Sequence, residues 1–181
     1  IFLRHVGKAI QQVIDKGDIA ARLSGDEFVV LSRCALPAEA EELARRLLLA
    51  VARPVEIDGV TTTGTVSVGI HFAIDGLPLD TRLQRADLAL FQAKVEGRNC
   101  HRVFSVTLEK QIARRRYLES AITSGLADDR FFLVYQPLLN HRSGACEGFE
   151  ALLRLKDIDG NVIPPSDFLP GSESMAPIAE I

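Results

Sequence analysis

Apolar residues recur at helical spacing from the start of the chain. Val6, Ile10 and Ile14 stand one turn apart, so residues 2–16 are predicted to form a helix that Gly17 stops. Two short apolar runs follow, 19–23 and 27–31, with Ser24-Gly25-Asp26 as turn chemistry between them, which predicts a β-hairpin. Pro37 opens the next helix, where its missing N–H costs little. Glu39, Glu41 and Glu42 crowd its start and Arg45, Arg46 and Arg53 come late, matching the helix dipole. Leu43, Ala44, Leu47, Leu48 and Val51 form its apolar stripe. Asp58-Gly59 reads as a hairpin turn. Beyond it Val60, Thr62, Val66, Val68, Ile70 and Phe72 alternate with Thr61, Thr63, Thr65 and Ser67, predicting one long strand. Residues 80–96 carry Leu83, Ala86, Leu90 and Ala93 on one helical face, Gly97 ends that helix, and 102–104 is a short strand. A charged helix over about 106–124, containing Arg114-Arg115-Arg116, has the composition of a connector. Strands 131–139 and 148–155 follow, joined by a turn through Ser143-Gly144. Pro164-Pro165-Ser166-Asp167 then looks like a helix entry, with Ser166 or Asp167 near the cap. Helices and strands interleave throughout, which indicates an α/β chain.

Composition narrows the function classes. The chain has 181 residues, 47% hydrophobic and 25% charged, which excludes disorder. Its formal net charge of −3 gives no basic stripe, so a nucleic acid polymer is not an expected partner. No apolar run approaches the ~20 residues needed to span a bilayer. Cys34, Cys100 and Cys146 form no CxxC pair and the four histidines show no ligand spacing, which argues against a disulfide framework or a zinc site and for a reducing cytoplasm. The chain opens on Ile1 without a signal pattern and is expected to be an internal fragment.

Two constellations carry chemistry. The first is Arg22-Leu23-Ser24-Gly25-Asp26-Glu27-Phe28, a tight turn beside adjacent carboxylates. Gly25 lets a ligand approach the backbone, and Asp26 and Glu27 are hard oxygen donors of the kind magnesium takes alongside nucleotide phosphates. Alternation sends the two acids to opposite faces, so only one can meet a given metal. A solvated acidic hairpin tip is the competing reading. Downstream stand Thr65-Val66-Ser67-Val68-Gly69-Ile70, Ala86-Asp87-Leu88-Ala89-Leu90-Phe91-Gln92-Ala93-Lys94 and Gly97-Arg98-Asn99. In this order and spacing, residues 1 to about 104 resemble the GGDEF domain of diguanylate cyclases. The resemblance implies that Ser24 and Gly25 approach GTP phosphates, that Asp26 helps hold the metal, and that Glu27 is the second, catalytic acid. It also implies that Lys94 and Arg98 contact phosphate. Their separation of one helical turn lets both face one anion, the alternative being a basic helix end answering the dipole. The signature here is SGDEF, and serine crowds a phosphate that glycine would not. The family's inhibitory product site needs an arginine three residues before an aspartate. Here that pair is Asp15 and Asp18, so no product inhibition is expected.

The second constellation is Glu150, Leu152 and Arg154, which alternation places on one strand face. At roughly 3.3 Å per residue the two charges start about 13 Å apart, too far for a direct pair, so each needs its own partner: a metal for the acid and a phosphate for the guanidinium. A solvent-facing edge strand is the bland alternative. With Tyr135-Gln136-Pro137 before it and Ile163-Pro164-Pro165-Ser166-Asp167-Phe168-Leu169-Pro170 after it, the region from about 112 to 181 resembles the start of an EAL domain, the cyclic di-GMP phosphodiesterase family. The resemblance implies a TIM-like barrel, Glu150 as a metal ligand, Arg154 as a phosphate contact and Gln136 as a contact to the dinucleotide.

Together these imply an incomplete GGDEF domain over 1–105, nucleotide-cyclase-like with a mostly antiparallel sheet and helices. A connector helix over 106–125 and the truncated start of an EAL barrel over 126–181 would follow. The parent is expected to hydrolyse cyclic di-GMP to linear pGpG with Mg²⁺ or Mn²⁺, beside a degenerate GTP-binding or weakly active cyclase unit. The alternative is a non-catalytic receptor for cyclic di-GMP or GTP that acts on a protein partner. The 181 residues alone are expected to turn over neither. Self-association into a homodimer, and a sensor domain or inner-membrane segment elsewhere in the parent, complete the expectations.

Overall fold

A computed structural model describes residues 2–73 and 76–172. The chain divides into two units, Ile1–Glu109 and Lys110–Ile181.

In the first unit α1 (Phe2–Val13) packs on α2 (Pro37–Val51). Val6, Ala9 and Ile10 of α1 interlock with Leu43, Leu47 and Val51 of α2, and Phe28, Val30 and Val66 close over them. Of the predicted stripe on α2, Leu43, Ala44, Leu47 and Val51 are buried and Leu48 is half-buried. No capping side chain precedes Pro37; instead the Glu39 carboxylate accepts the Ala35 and Leu36 N–H groups at 2.7 and 3.2 Å. β1 (Ile19–Ser24) and β2 (Glu27–Leu31) form the predicted antiparallel hairpin. β3 (Val55–Ile57) and β4 (Val60–Thr62) form the second, with φ of 52° at Asp58 and 80° at Gly59, the two positive values a type I′ turn needs.

The long strand predicted over 60–72 is instead two short strands in different ladders. β4 belongs with β3, whereas β5 (Val68–Ile70) runs parallel to β6 (His101–Val103). The alternation is unbroken in the sequence, but residues 63–67 join neither ladder, and within them Gly64 sits so close to Phe2 that a Cβ would lie 2.2 Å from its Cζ. α3 (Leu79–Val95) covers β5 and β6. Its closest approach is at Gly69, where a Cβ would stand 2.0 Å from the Ala86 carbonyl oxygen and 2.4 Å from the Leu90 nitrogen. So near a backbone, small side chains fill the seam: Ala89 and Ala93 are fully buried, while Leu83, Ala86 and Leu90 are half-buried.

The second unit begins within α4 (Val106–Ala127) and continues as β7 (Phe131–Leu139), β8 (Cys146–Lys156), β9 (Val162–Ile163) and α5 (Pro165–Ser172). The three strands form one antiparallel sheet in that order. Ala121 and Ile122 of α4, with Leu118 and Leu126 beside them, pack on Leu155, Ile163 and Phe168. The helix sits close to the strands at Gly125, where a Cβ would meet Leu155 Cδ1 at 2.5 Å. Its second half is thus core rather than bare linker.

Candidate functional site

The β1–β2 hairpin closes on the pair Ser24↔Glu27, with Gly25 and Asp26 as a two-residue loop and Leu23 bulged out of register. Gly25 has φ 43° and nothing within 4 Å of its missing Cβ; Asp26 is not left-handed. Positive φ at the first loop position alone is the requirement glycine meets in a type II′ hairpin. The Arg22 guanidinium folds back on the loop, its Nε donating to the Gly25 carbonyl at 2.9 Å. Ser24 Oγ donates to Glu27 Oε2 at 3.0 Å across the neck. One of the two acids is therefore engaged inside the hairpin, and the other, Asp26, is exposed at its tip.

Lys94 and Arg98 do not stand one helical turn apart. α3 ends at Val95, and Gly97, Arg98 and Asn99 follow with φ of 108°, 61° and 50°. The Arg98 N–H reaches back to the Ala93 carbonyl at 3.0 Å, closing the helix end, so Arg98 leaves the helical face that Lys94 occupies. Both are exposed, and among the described residues neither side chain meets the hairpin acids by a hydrogen bond or ion pair.

Asp18 is consumed locally. Its carboxylate accepts the Arg33 N–H at 3.1 Å, the Ser32 hydroxyl at 2.9 Å and the Asp15 N–H at 3.1 Å. These bonds, the Arg33 amide first, hold its pKa below the ordinary carboxylate range. Asp15 lies 3.9 Å from Arg46 in a groove of about 560 Å³ that Arg33 and Cys34 also line.

On the second unit the strand register brings two predicted residues together. Gln136 of β7 stands directly opposite Glu150 of β8, and Phe132 stands opposite Arg154. One sheet face therefore carries Phe132, Val134 and Gln136 beside Leu152, Glu150 and Arg154. The other face holds Phe131, Leu153 and Leu155 against α4. Glu150 and Gln136 are exposed and Arg154 is half-buried, its Nη1 donating to the Leu153 carbonyl at 2.8 Å.

Among the described residues no three of His, Cys, Asp and Glu gather at a spacing that could hold a metal ion. Asp26 and Glu150 are both exposed carboxylates, and neither belongs to such a group.

Asp157, at the end of β8, is the buried acid that sequence reasoning missed, at 7% exposure. It accepts the Tyr117 hydroxyl at 2.8 Å, the Asn161 amide side chain at 3.0 Å, and the Asp159 and Asn161 N–H groups at 2.9 and 2.8 Å. Arg114 pairs with Asp167 on α5 and lies over the Tyr117 ring, 5.3 Å from its centroid. The local signal was the run Asp157-Ile158-Asp159-Gly160-Asn161, turn chemistry ahead of β9.

Comparison with known proteins agrees with this division. The family model "Diguanylate cyclase, GGDEF domain" matches residues 1–100, and the EAL domain model matches 118–181. An uncharacterized signaling protein of Caulobacter vibrioides is 37% identical over 94% of this chain, which spans 22% of that protein. The cyclic di-GMP phosphodiesterase NbdA of Pseudomonas aeruginosa is 33% identical over 99% of the chain, which spans 23% of it. A solved GGDEF domain of TpbB (YfiN) from Pseudomonas aeruginosa has a TM-score of 0.57 at 27% identity, covering 61% of this chain and 66% of that one. The chain thus spans under a quarter of these two curated relatives. With a glycine-turned hairpin of paired acids in one unit and a glutamate–arginine strand in the next, the chain belongs to the GGDEF family and carries an EAL segment in tandem.

Proposed function

We propose that this chain is part of a protein that turns over cyclic di-GMP and that its EAL segment serves hydrolysis to linear pGpG. The observation that carries the reading is the cross-strand pair Gln136↔Glu150 with Arg154 on the same face. Glu150 would hold Mg²⁺ or Mn²⁺, which when bound supplies an acidified water and charge neutralisation at the phosphodiester. Arg154 offers a planar donor fork to the non-bridging phosphate oxygens. Gln136, fixed opposite Glu150, can donate to the dinucleotide and so set its position on the strand. The relative NbdA is named a cyclic di-GMP phosphodiesterase, which supports the assignment.

For the first unit the proposed roles are GTP phosphate contacts at Ser24, Gly25, Lys94 and Arg98, a metal ligand at Asp26 and a catalytic acid at Glu27. The Ser24–Glu27 hydrogen bond favours a second reading there, a unit that binds nucleotide without turning it over, because it engages the carboxylate catalysis needs.

The test is incubation of the full-length protein with cyclic di-GMP and Mg²⁺ or Mn²⁺, following pGpG by chromatography. Glu150→Gln should abolish pGpG formation while the fold persists. Retained binding with no pGpG from the unaltered protein would favour a receptor instead, and undiminished hydrolysis by Glu150→Gln would remove Glu150 from the metal site.

A further inference from the structure

Arg154 is not the last cation on its face. Lys156 follows two residues later on β8, so its side chain leaves the same side of the sheet, roughly 6.6 Å further along. Leu155 between them is fully buried against α4, which fixes the alternation: Leu155 inward, Arg154 and Lys156 away from the helix. The Lys156 backbone is held on both sides. Its N–H donates to the Arg130 carbonyl at 3.1 Å, and Arg130 Nη1 donates to the Lys156 carbonyl at 2.8 Å.

The side chain is oriented as well. Phe132 stands opposite Arg154, and the Lys156 Nζ lies 5.1 Å from the centroid of that ring. The ring is thus a platform for the ammonium on the strand position opposite Arg154, whose own Nη1 donates to the Leu153 carbonyl at 2.8 Å. Among the described residues, neither cation forms an ion pair. Two neighbouring like charges without an acid repel each other, and an anion placed between them relieves that repulsion. The acid on this face, Glu150, stands four residues before Arg154, so the face is polarised along the strand: a carboxylate–amide end and a two-cation end, with Val134 and Leu152 between.

We infer that Lys156 is a second phosphate contact, forming with Arg154 and the Phe132 platform the anion-binding end of this face. The inference rests on reading the face as a cyclic di-GMP site, and it adds a residue outside the motif that suggested that site. A cyclic dinucleotide carries two phosphodiesters, and a cation pair can engage oxyanions that a single guanidinium cannot span.

The experiment measures cyclic di-GMP affinity of the full-length protein by calorimetry in EDTA, which prevents turnover, over a range of salt concentrations. Lys156→Ala should weaken binding about tenfold at low salt, the loss of one charge-assisted contact, and should make the salt dependence shallower. Lys156→Arg should restore both, which a purely structural role would not require. Phe132→Leu should weaken binding less than Lys156→Ala, because it removes the platform and keeps the charge. Affinity of Lys156→Ala within twofold of the unaltered protein, or an unchanged salt slope, overturns the inference alone. If the unaltered protein does not bind cyclic di-GMP at all, the site reading falls and takes the inference with it.

Discussion

Gly69 offers a direct test of how the first unit is held together. Its φ is not left-handed, so by local rules alanine is welcome there and would even lower the entropy lost by the chain on folding. The tertiary structure says otherwise. A Cβ at Gly69 would lie 2.0 Å from the Ala86 carbonyl oxygen, 2.4 Å from the Leu90 nitrogen and 2.9 Å from the Leu90 Cα. These are backbone atoms of α3 and cannot rotate aside, so β5 and α3 must separate by about 1 Å, and the buried seam at Ala89 and Ala93 opens with them. Overpacking of this kind costs about 1–3 kcal/mol, and rigid partners put Gly69→Ala at the top, near 3 kcal/mol. With a urea slope of about 2 kcal/mol/M the midpoint should fall by roughly 1.5 M. Gly59 is the control: its φ is 80° and nothing lies within 4 Å, so Gly59→Ala meets only the left-handed penalty of about 1–2 kcal/mol. Urea titration of the chain, followed by amide cross-peaks from residues of the first unit, resolves the two. If Gly69→Ala proves no more destabilising than Gly59→Ala, the close approach of β5 to α3 is wrong.

The second unit should lose stability in acid through Asp157. Hydrogen bonds from Asn161 and Tyr117 hold its pKa below the ordinary aspartate value of about 3.9. A lowered folded pKa means the stabilisation is complete above that value and disappears as pH falls through the folded one, so the stability gap to Asp157→Asn should narrow over the range below about pH 4. A gap that stays constant over that range would sink this account. In the core of the same unit Leu155→Ala should cost about 2–5 kcal/mol. Gly125→Ala should be unfavourable alone, because its methyl would meet Leu155 Cδ1 at 2.5 Å. In the Leu155→Ala background it should instead be stabilising, since the methyl enters the vacated space and the helix gains propensity; strict additivity in the double-mutant cycle would refute the contact.

Much of the fold was legible because local chemistry and tertiary packing agree. The Asp58-Gly59 turn, the Ser24-Gly25-Asp26 hairpin and the α2 stripe were each written in a few adjacent residues. The face shared by Glu150 and Arg154 followed from alternation alone, and strand pairing then set Gln136 opposite the glutamate. Two readings failed for one reason. The 60–72 strand and the Lys94–Arg98 helical turn were extrapolations of a period through a glycine: Gly64 lies in the stretch 63–67 that joins neither ladder, and Gly97 turns left-handed beyond the end of α3. Asp157 was missed because its importance lies in burial beneath Tyr117, forty residues earlier in the chain. The apolar seam of α4 was obscured by the charges at Arg114–Arg116 on the same helix.

Taken alone, the sequence determined the kinds of element, the two acidic constellations and the families they resemble, because turn residues, alternation and motif spacing act over short stretches. Only the tertiary structure decided which carboxylate is engaged by Ser24, which residue faces Glu150, where α3 touches β5 and why Arg98 departs from Lys94. Those outcomes depend on which atoms the folded backbone brings within reach, across a turn, a helix end or a strand pair, and a pattern that repeats along one strand or helix carries no information about what crosses it.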